Sequence, residues 1–337
     1  MRAATHHLAM ACVVSLACLG SASVSAQGLP AATGTTGPAD PVHLDYGLRA
    51  RQIASGTWVI EGAVEDFSRQ NGCNIINTGF IATGAGVVVI NTGPSRRYGE
   101  QQRRLIAQVT PEPVVQVLNL NLHPDYFFGN QAWPDRPVQA LPGSMAGMQA
   151  EGGAYADNLY RLCGDWMTGT ESTPASKPVE PGVRTLGQHR IELLRLDGHT
   201  GDDLVLLDHT TGVVFAGGLV FADRVPTTPH ADFARWQASL NRLEDRMSAG
   251  PFRLVVPSHG PVHEGAKGLA QTRDWLTWLT GLMETQAESG MDLSEVLAQP
   301  VPGRFASWAA QPAELHRTLA QWYPRYEQRA LGVAGAR

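Results

Sequence analysis

The sequence predicts an α/β fold in which two mixed sheets pack face to face with helices on their outer sides. This is an αββα four-layer sandwich, with a helical tail at its C-terminus. Three observations predict it. Short apolar runs rich in β-branched residues recur between glycine-rich turns, which is the pattern of strands. Stretches with helical spacing of apolar residues fall between those runs. The strand-then-helix plan is written twice, in halves of similar size, and two such halves bury their apolar faces best by stacking sheet on sheet.

In order along the chain, residues 57–61, 73–82 and 86–91 are expected strands, bounded by glycines. Thr92-Gly93-Pro94-Ser95 is a turn that opens a helix to residue 109, with Ser95 as N-cap. Residues 114–120 and 138–141 are further strands, and 144–166 a helix. In the second half, 189–196, 204–208, 213–216 and 254–256 are strands, while 232–247 and 265–288 are helices. Trp275 and Trp278 mark the apolar side of the last of these. Trp308, Leu315, Leu319 and Trp322 recur near helical spacing, so the tail from 292 to 326 reads as helical and ordered.

The domain plan has four parts. Residues 1–26 read as a secretory signal peptide: Arg2 is the only formal charge, residues 8–19 are apolar, and Val24-Ser25-Ala26 is a small-residue cleavage site. A lipoprotein signal through Cys18 fits less well, because Ser15 stands where leucine is preferred. Residues 27–46 are a Gly-, Pro-, Ala- and Thr-rich flexible leader, 47–290 the folded domain, and 291–337 a helical C-terminal extension. The chain of 337 residues is 43% hydrophobic and 17% charged, enough to furnish a sizeable core. Removal of the signal leaves 25 basic and 31 acidic residues. Only Lys177 and Lys267 are lysines and no basic stripe exists, so a nucleic-acid partner is excluded. No later segment is apolar for long enough to span a membrane. These features place the protein in the periplasm or outside the cell. Cys73 and Cys163 remain after processing. In an oxidising compartment they are most simply a disulfide, the alternative being two buried thiols.

Three strand ends each deliver a histidine. Asn121-Leu122-His123-Pro124-Asp125-Tyr126 follows the strand at 114–120; Asp197-Gly198-His199-Thr200-Gly201-Asp202-Asp203 follows that at 189–196; Pro257-Ser258-His259-Gly260 follows that at 254–256. Imidazole nitrogens and carboxylate oxygens are the ligands zinc accepts. Histidines gathered at one sheet edge therefore suggest a single metal centre. The bland alternatives are turn histidines and a capping aspartate in Gly- and Pro-containing loops.

These motifs, with Phe215-Ala216-Gly217-Gly218, resemble in content and order those of the metallo-β-lactamase-fold hydrolases, over about residues 47–279. That family carries H-x-H-x-D-H, then G-H-T/S, then F-x-G-D/C, then a final histidine. The long spacing and the Gly129-Asn130 after the first motif are closer to the quinoprotein relay system zinc metallohydrolases than to antibiotic-degrading enzymes. The resemblance implies that His123, Asp125, His199 and His259 are metal ligands and that zinc is the cofactor. It also shows departures. Asn121 and Tyr126 stand where the first and last histidines of the first motif belong, Gly218 where the metal-bridging Asp or Cys belongs, and Asn91 where an upstream aspartate is usual. A two-zinc centre is then short of donors, so one ion is expected rather than two.

The functional expectation is a secreted, metal-dependent hydrolase of a small ester, thioester or lactam-like substrate. Asp125, Tyr126 and Asn121 are its candidate catalytic residues. Tyr126 is either a donor to a developing oxyanion or a packing residue, and Asn121 either a weak ligand or a turn former. Asp223 and His230 are candidates to replace the missing bridging group, with loop residues as the plain alternative. Asp202 and Asp203 are expected to orient the His199 loop. The competing expectation is a non-catalytic binding protein on the same fold, serving a periplasmic quinoprotein dehydrogenase. A β-lactamase proper is disfavoured, because the losses fall on its zinc ligands.

Overall fold

The computed structural model describes Met1 and residues 37–332. The signal peptide expected at 1–26 and the first part of the leader lie outside the described residues. Seven strands form the first sheet in chain order: β1 (Arg51–Ala54), β2 (Thr57–Ile60), β3 (Thr78–Ala82), β4 (Val87–Ile90), β5 (Val114–Leu118), β6 (Val138–Ala140) and β7 (Lys177–Pro178). Its first three pairings are antiparallel and its last three parallel. The second sheet runs β13 (His263–Glu264), β12 (Leu254–Val256), β11 (Val213–Phe215), β10 (Asp203–Asp208), β9 (His189–Leu196) and β8 (Gly182–Leu186). Only β11 and β12 pair in parallel there, so both sheets are mixed.

Four layers follow from the two-residue period of strands buried on both faces. In β4, Val87 and Val89 face one apolar cluster while Val88 and Ile90 face another. In β10, Leu204 and Leu206 join the latter, and Val205 and Leu207 turn to a third. The shared cluster, with Ile81, Leu118, Val213, Phe215 and Val256, is the layer between the sheets. Helices α1 (Arg96–Val109) and α3 (Pro142–Cys163) cover the outside of the first sheet with Tyr98, Ile106, Met148 and Leu159. Helices α4 (Phe233–Ser248) and α5 (Lys267–Glu288) cover the second with Trp236, Leu240, Trp275 and Leu279. The single-turn α2 (Pro124–Phe127) lies between β5 and β6. As expected, the Ser95 side chain accepts from Tyr98 N at the start of α1, and Asp232 does the same for Arg235 N at the start of α4.

The tail is helical in three pieces, α6 (Leu293–Leu297), α7 (Gly303–Ala306) and α8 (Ala313–Ala330). Val296, Phe305, Trp308, Leu315 and Leu319 join the same cluster as α4 and α5, so the tail is sealed onto the second sheet's helical layer. The expected strand at 73–82 begins only at Thr78. Cys73 has φ of +61°, off the extended region, and its N–H bonds Asn71 Oδ1 and Ser68 O instead of a ladder partner. Cys73 is joined to Cys163 at the end of α3, closing a separation of 90 residues. Loop-closure entropy assigns such a link about 4 to 5 kcal/mol. The edge strands β1 and β8 escape the sequence pattern because neither carries a continuous apolar face: every residue of β8 is exposed or half-buried.

Parallel pairing sets the position of the site. β4 with β5, and β11 with β12, end on the same side of their sheets. At that edge Leu204 N donates to Leu120 O (2.8 Å) and Asn77 N to Ser258 O (2.8 Å), tying one sheet to the other. Among the described residues no helix is long and apolar enough to cross a membrane.

Candidate functional site

The first motif is held from behind by amides. Asn91, at φ +57°, accepts from Leu120 N through Oδ1 (2.9 Å), and its carbonyl accepts from Gln102 Nε2 (3.0 Å). Asparagine tolerates this left-handed backbone better than most residues. Asn119 Nδ2 donates to Tyr126 O (2.9 Å), closing the loop on itself. His123 is then the N-cap of α2, with Pro124 at the first helical position and Asp125 in the first turn.

The second and third histidines are fixed as tightly. Asp203 accepts from His199 N (3.1 Å) and Thr200 N (2.9 Å), the orienting role expected of it. Asp202 turns away and accepts from Gly143 N (2.6 Å) at the start of α3. Gly198, at φ +115°, lies so close to α4 that a Cβ would meet Trp236 N at 2.1 Å, which presses the His199 loop onto that helix. Asn77 Nδ2 donates to Pro257 O (3.0 Å) and Gly260 O (2.7 Å), bracketing His259, whose ring stacks on Phe221 at 4.9 Å.

Folding brings the four expected donors together as two pairs, Asp125 with His259 and His123 with His199. His259 Nε2 lies 2.9 Å from Asp125 Oδ2, and Ser258 Oγ lies 2.8 Å from its Nδ1. The His123 and His199 rings meet edge to face with centroids 4.7 Å apart. Asn121 joins both: Oδ1 accepts from His123 N (2.9 Å), and Nδ2 lies 3.2 Å from His199 Nδ1. His230 is brought in as well, its Nδ1 3.0 Å from His123 Nε2. Asp223 is not. It pairs with Lys267 (3.1 Å) and accepts from Gln271 at the surface. Tyr126 is fully buried, in the layer between the sheets, and its hydroxyl lies near Ser258 and Asn121 without a well-formed hydrogen bond among the described residues.

Gly218 is where the site departs most from the family's two-metal pattern. A Cβ there would lie 1.9 Å from His199 Nδ1 and 2.5 Å from Asn121 Nδ2. The space a bridging side chain needs is already filled by an imidazole and an amide that lie within reach of each other. A side chain at position 218 therefore has no room unless His199 or Asn121 shifts.

Burial sets the charge states. It pushes the His259 imidazole down to about 4, against the opposing effect of its hydrogen bond to Asp125. It pushes His123 well below its ordinary value too, with His199, His230 and His259 adding to the effect. Burial, and next to it the Asp125 charge, raises the Tyr126 phenol. Both histidines are therefore neutral and competent as ligands at pH 7. The sign for stability follows. Because the folded-state value of His259 is depressed, the unfolded chain binds more protons between about pH 6.5 and 4. Metal-free protein is therefore expected to lose on the order of 3 kcal/mol as pH falls through that window and to be flat above it. Urea unfolding against pH in the presence of a chelator checks this. His259→Gln should flatten the curve, and an unchanged slope in that variant would count against the assignment.

His123, Asp125 and His259 form the floor of a cleft of about 350 Å³. Phe67, Tyr155, Leu162 and Pro229 supply apolar wall, and Arg224 lines it with a fully buried guanidinium. Arg224 donates from Nε to Glu65 O (2.9 Å) and from Nη1 to Val225 O (3.0 Å), but its Nη2 has no partner among the described residues. Glu151 on α3 lies 2.9 Å from His230 Nε2. Neither Arg224 nor Glu151 carried a sequence signal. One is a lone arginine in a loop, the other a glutamate within a helix.

The donors are of the types that zinc accepts. Asp125 Oδ2 and His259 Nε2 are as close as two ligands on a zinc with bonds near 2 Å. His199 Nε2 is buried without a partner among the described residues, a state that costs about 1 to 3 kcal/mol unless something satisfies it. Yet among the described residues no three His, Cys, Asp or Glu side chains stand arranged round one point.

The sequence profile described as the metallo-beta-lactamase superfamily matches residues 71–259, more than half of the chain. Among solved structures, a metallo-beta-lactamase from Pontibacter korlensis is similar with a TM-score of 0.56 and 22% identity, covering 68% of this chain and 99% of its own. The metallo-beta-lactamase FIM-1 from Pseudomonas aeruginosa, in its mono-zinc form, is similar with a TM-score of 0.53 and 18% identity over 68% of this chain and 95% of that one. At such identities these likenesses speak to the fold. No curated protein matches the chain.

Proposed function

Because the chain belongs to the metallo-beta-lactamase superfamily, we propose that it is a hydrolase with a reduced, single-metal centre. The donors proposed to hold the ion are His123, Asp125, His199 and His259. The observation that carries this reading is the buried, partnerless His199 Nε2 in the same cluster as the Asp125–His259 pair. A bound zinc supplies Lewis acidity and lowers the pKa of water. The chain's own residues do the rest. His259 is held by Ser258 and by stacking on Phe221, Asn121 locks the first-motif loop, and the apolar wall of the cleft excludes water.

The substrate class proposed is a small ester, thioester or lactam-like compound that also carries an anionic group. Support for the anion is Arg224, a cleft-lining residue whose buried Nη2 has no partner among the described residues. A guanidinium satisfies such a group with charge-assisted bonds. A periplasmic setting belongs to the same proposal, and the Cys73–Cys163 link is in keeping with an oxidising compartment.

The second reading, a binding protein for a periplasmic quinoprotein dehydrogenase system, is favoured by the filled space at Gly218. Metal analysis separates the two. Purified protein equilibrated with zinc and desalted is expected to retain about one equivalent and to melt at lower temperature after chelation, since a ligand of the folded state stabilises it by mass action. No retained metal, with melting indifferent to chelator, would favour the binding protein.

A further inference from the structure

A chain of three side chains runs from two part-exposed residues to the buried first-motif histidine. Both oxygens of Glu151 lie 2.9 Å from His230 Nε2, and His230 Nδ1 lies 3.0 Å from His123 Nε2. Glu151 comes from the middle of α3 and His230 from the loop before α4, so the contact joins one sheet's helical layer to the other half of the molecule. The Glu151 and His230 side chains are 37% and 27% exposed, whereas His123 is buried.

The direction of this chain follows from donor and acceptor inventory. A carboxylate only accepts, so the nitrogen of His230 that faces it carries a proton. A neutral imidazole has one N–H, which leaves His230 Nδ1 as an acceptor. His123 Nε2 must then donate, and the Nδ1 of His123 is left with a bare lone pair.

We propose that Glu151 and His230 are positioning residues that fix His123 in its Nε2-protonated tautomer, leaving its Nδ1 unprotonated. A carboxylate that sets the tautomer of a working imidazole is a recurrent device in metal and hydrolytic sites. Here the carboxylate acts through a second imidazole. The arrangement also accounts for why His230, outside every motif, is drawn to the first-motif histidine rather than to the vacated bridging position. What the free nitrogen is used for, metal ligation, rests on the single-metal reading; the tautomer itself does not.

The test uses full-length mature protein, metal-free at pH 8, with ¹⁵N-labelled histidine and two-bond ¹⁵N–¹H correlation, the His123 signals being assigned by their loss in His123→Gln. Wild type is expected to show His123 protonated at Nε2 and bare at Nδ1. His230→Phe keeps a ring but removes the acceptor, and is expected to mix the two tautomers. His230→Asn restores an acceptor and should recover the wild-type pattern, while Glu151→Gln should mix tautomers in both rings. Both substituted positions are part-exposed, so folding is expected to survive, with circular dichroism as the check. Zinc affinity is read in parallel, with a 10- to 100-fold loss expected in His230→Phe. A wild-type His123 protonated at Nδ1, or a tautomer and zinc affinity indifferent to all three variants, would overturn the proposal. A wild type that holds no zinc but shows the expected tautomer and its dependence on His230 would sink the metal reading alone.

Discussion

Replacing Gly218 with aspartate, the residue type the family motif carries there, is expected to damage the site and not to restore a second metal. The backbone at Gly218 imposes no left-handed conformation, so only space opposes a side chain. That opposition is severe: Cβ alone would lie 1.9 Å from His199 Nδ1, and the carboxylate would follow into the same volume. His199 has nowhere to retreat, since its ring is buried 4.8 Å from Trp236 and 5.7 Å from Phe221. Overpacking of a filled core costs about 1 to 3 kcal/mol, and a buried polar group stripped of its Asn121 partner costs about the same again. Gly218→Asp is therefore expected to lose on the order of 3 to 5 kcal/mol of unfolding free energy and to bind no more zinc than wild type. Urea unfolding and metal analysis of the same preparation measure both. A stable variant holding two equivalents would show that the His199–Asn121 contact yields to a bridging ligand, and the single-ion reading would go with it.

The second large effect is expected at Asp125. Its carboxylate is buried beside His259, and the two make the closest approach among the proposed ligands. Asp125→Ala removes the only anionic donor of the set and leaves His259 Nε2 without its partner. Zinc affinity is expected to fall by at least about 100-fold, because a lost ligand costs more than the 10- to 100-fold typical of a lost supporting contact. Fold stability without metal is expected to drop by about 1 to 3 kcal/mol from the unsatisfied imidazole. Titration with cobalt(II), followed by its visible absorption, reads the affinity, and melting in chelator reads the stability. An Asp125→Ala protein that still takes up one tight equivalent would place the ion elsewhere, on the imidazoles alone.

Much of this architecture could be read along the chain. Runs such as Val87-Val88-Val89-Ile90 and Leu204-Val205-Leu206-Leu207 are apolar on both faces, which only a doubly covered sheet explains, and Ser95 announces its helix by capping. The order of Asn121–Asp125, His199 and His259 after successive strands pointed to one edge, and that edge is where they meet. Residues 73–77 misled, because β-branched and apolar side chains there are buried in a turn next to a disulfide rather than in a ladder. β8 was invisible, being an edge strand whose neighbour β9 supplies all its order.

The sequence by itself determined the layers and the roster of donors, because strand and helix periods and the motifs after strand ends are local properties of the chain. Which donors face which was decided only by tertiary structure. Asn121 meets His199 across 78 residues, His123 meets His230 across 107, and Asp125 meets His259 across 134. Whether a glycine leaves a hole or an imidazole fills it depends on the packing of α4 and Phe221 around His199, and no spacing along the chain encodes the volume left between side chains that distant segments bring together.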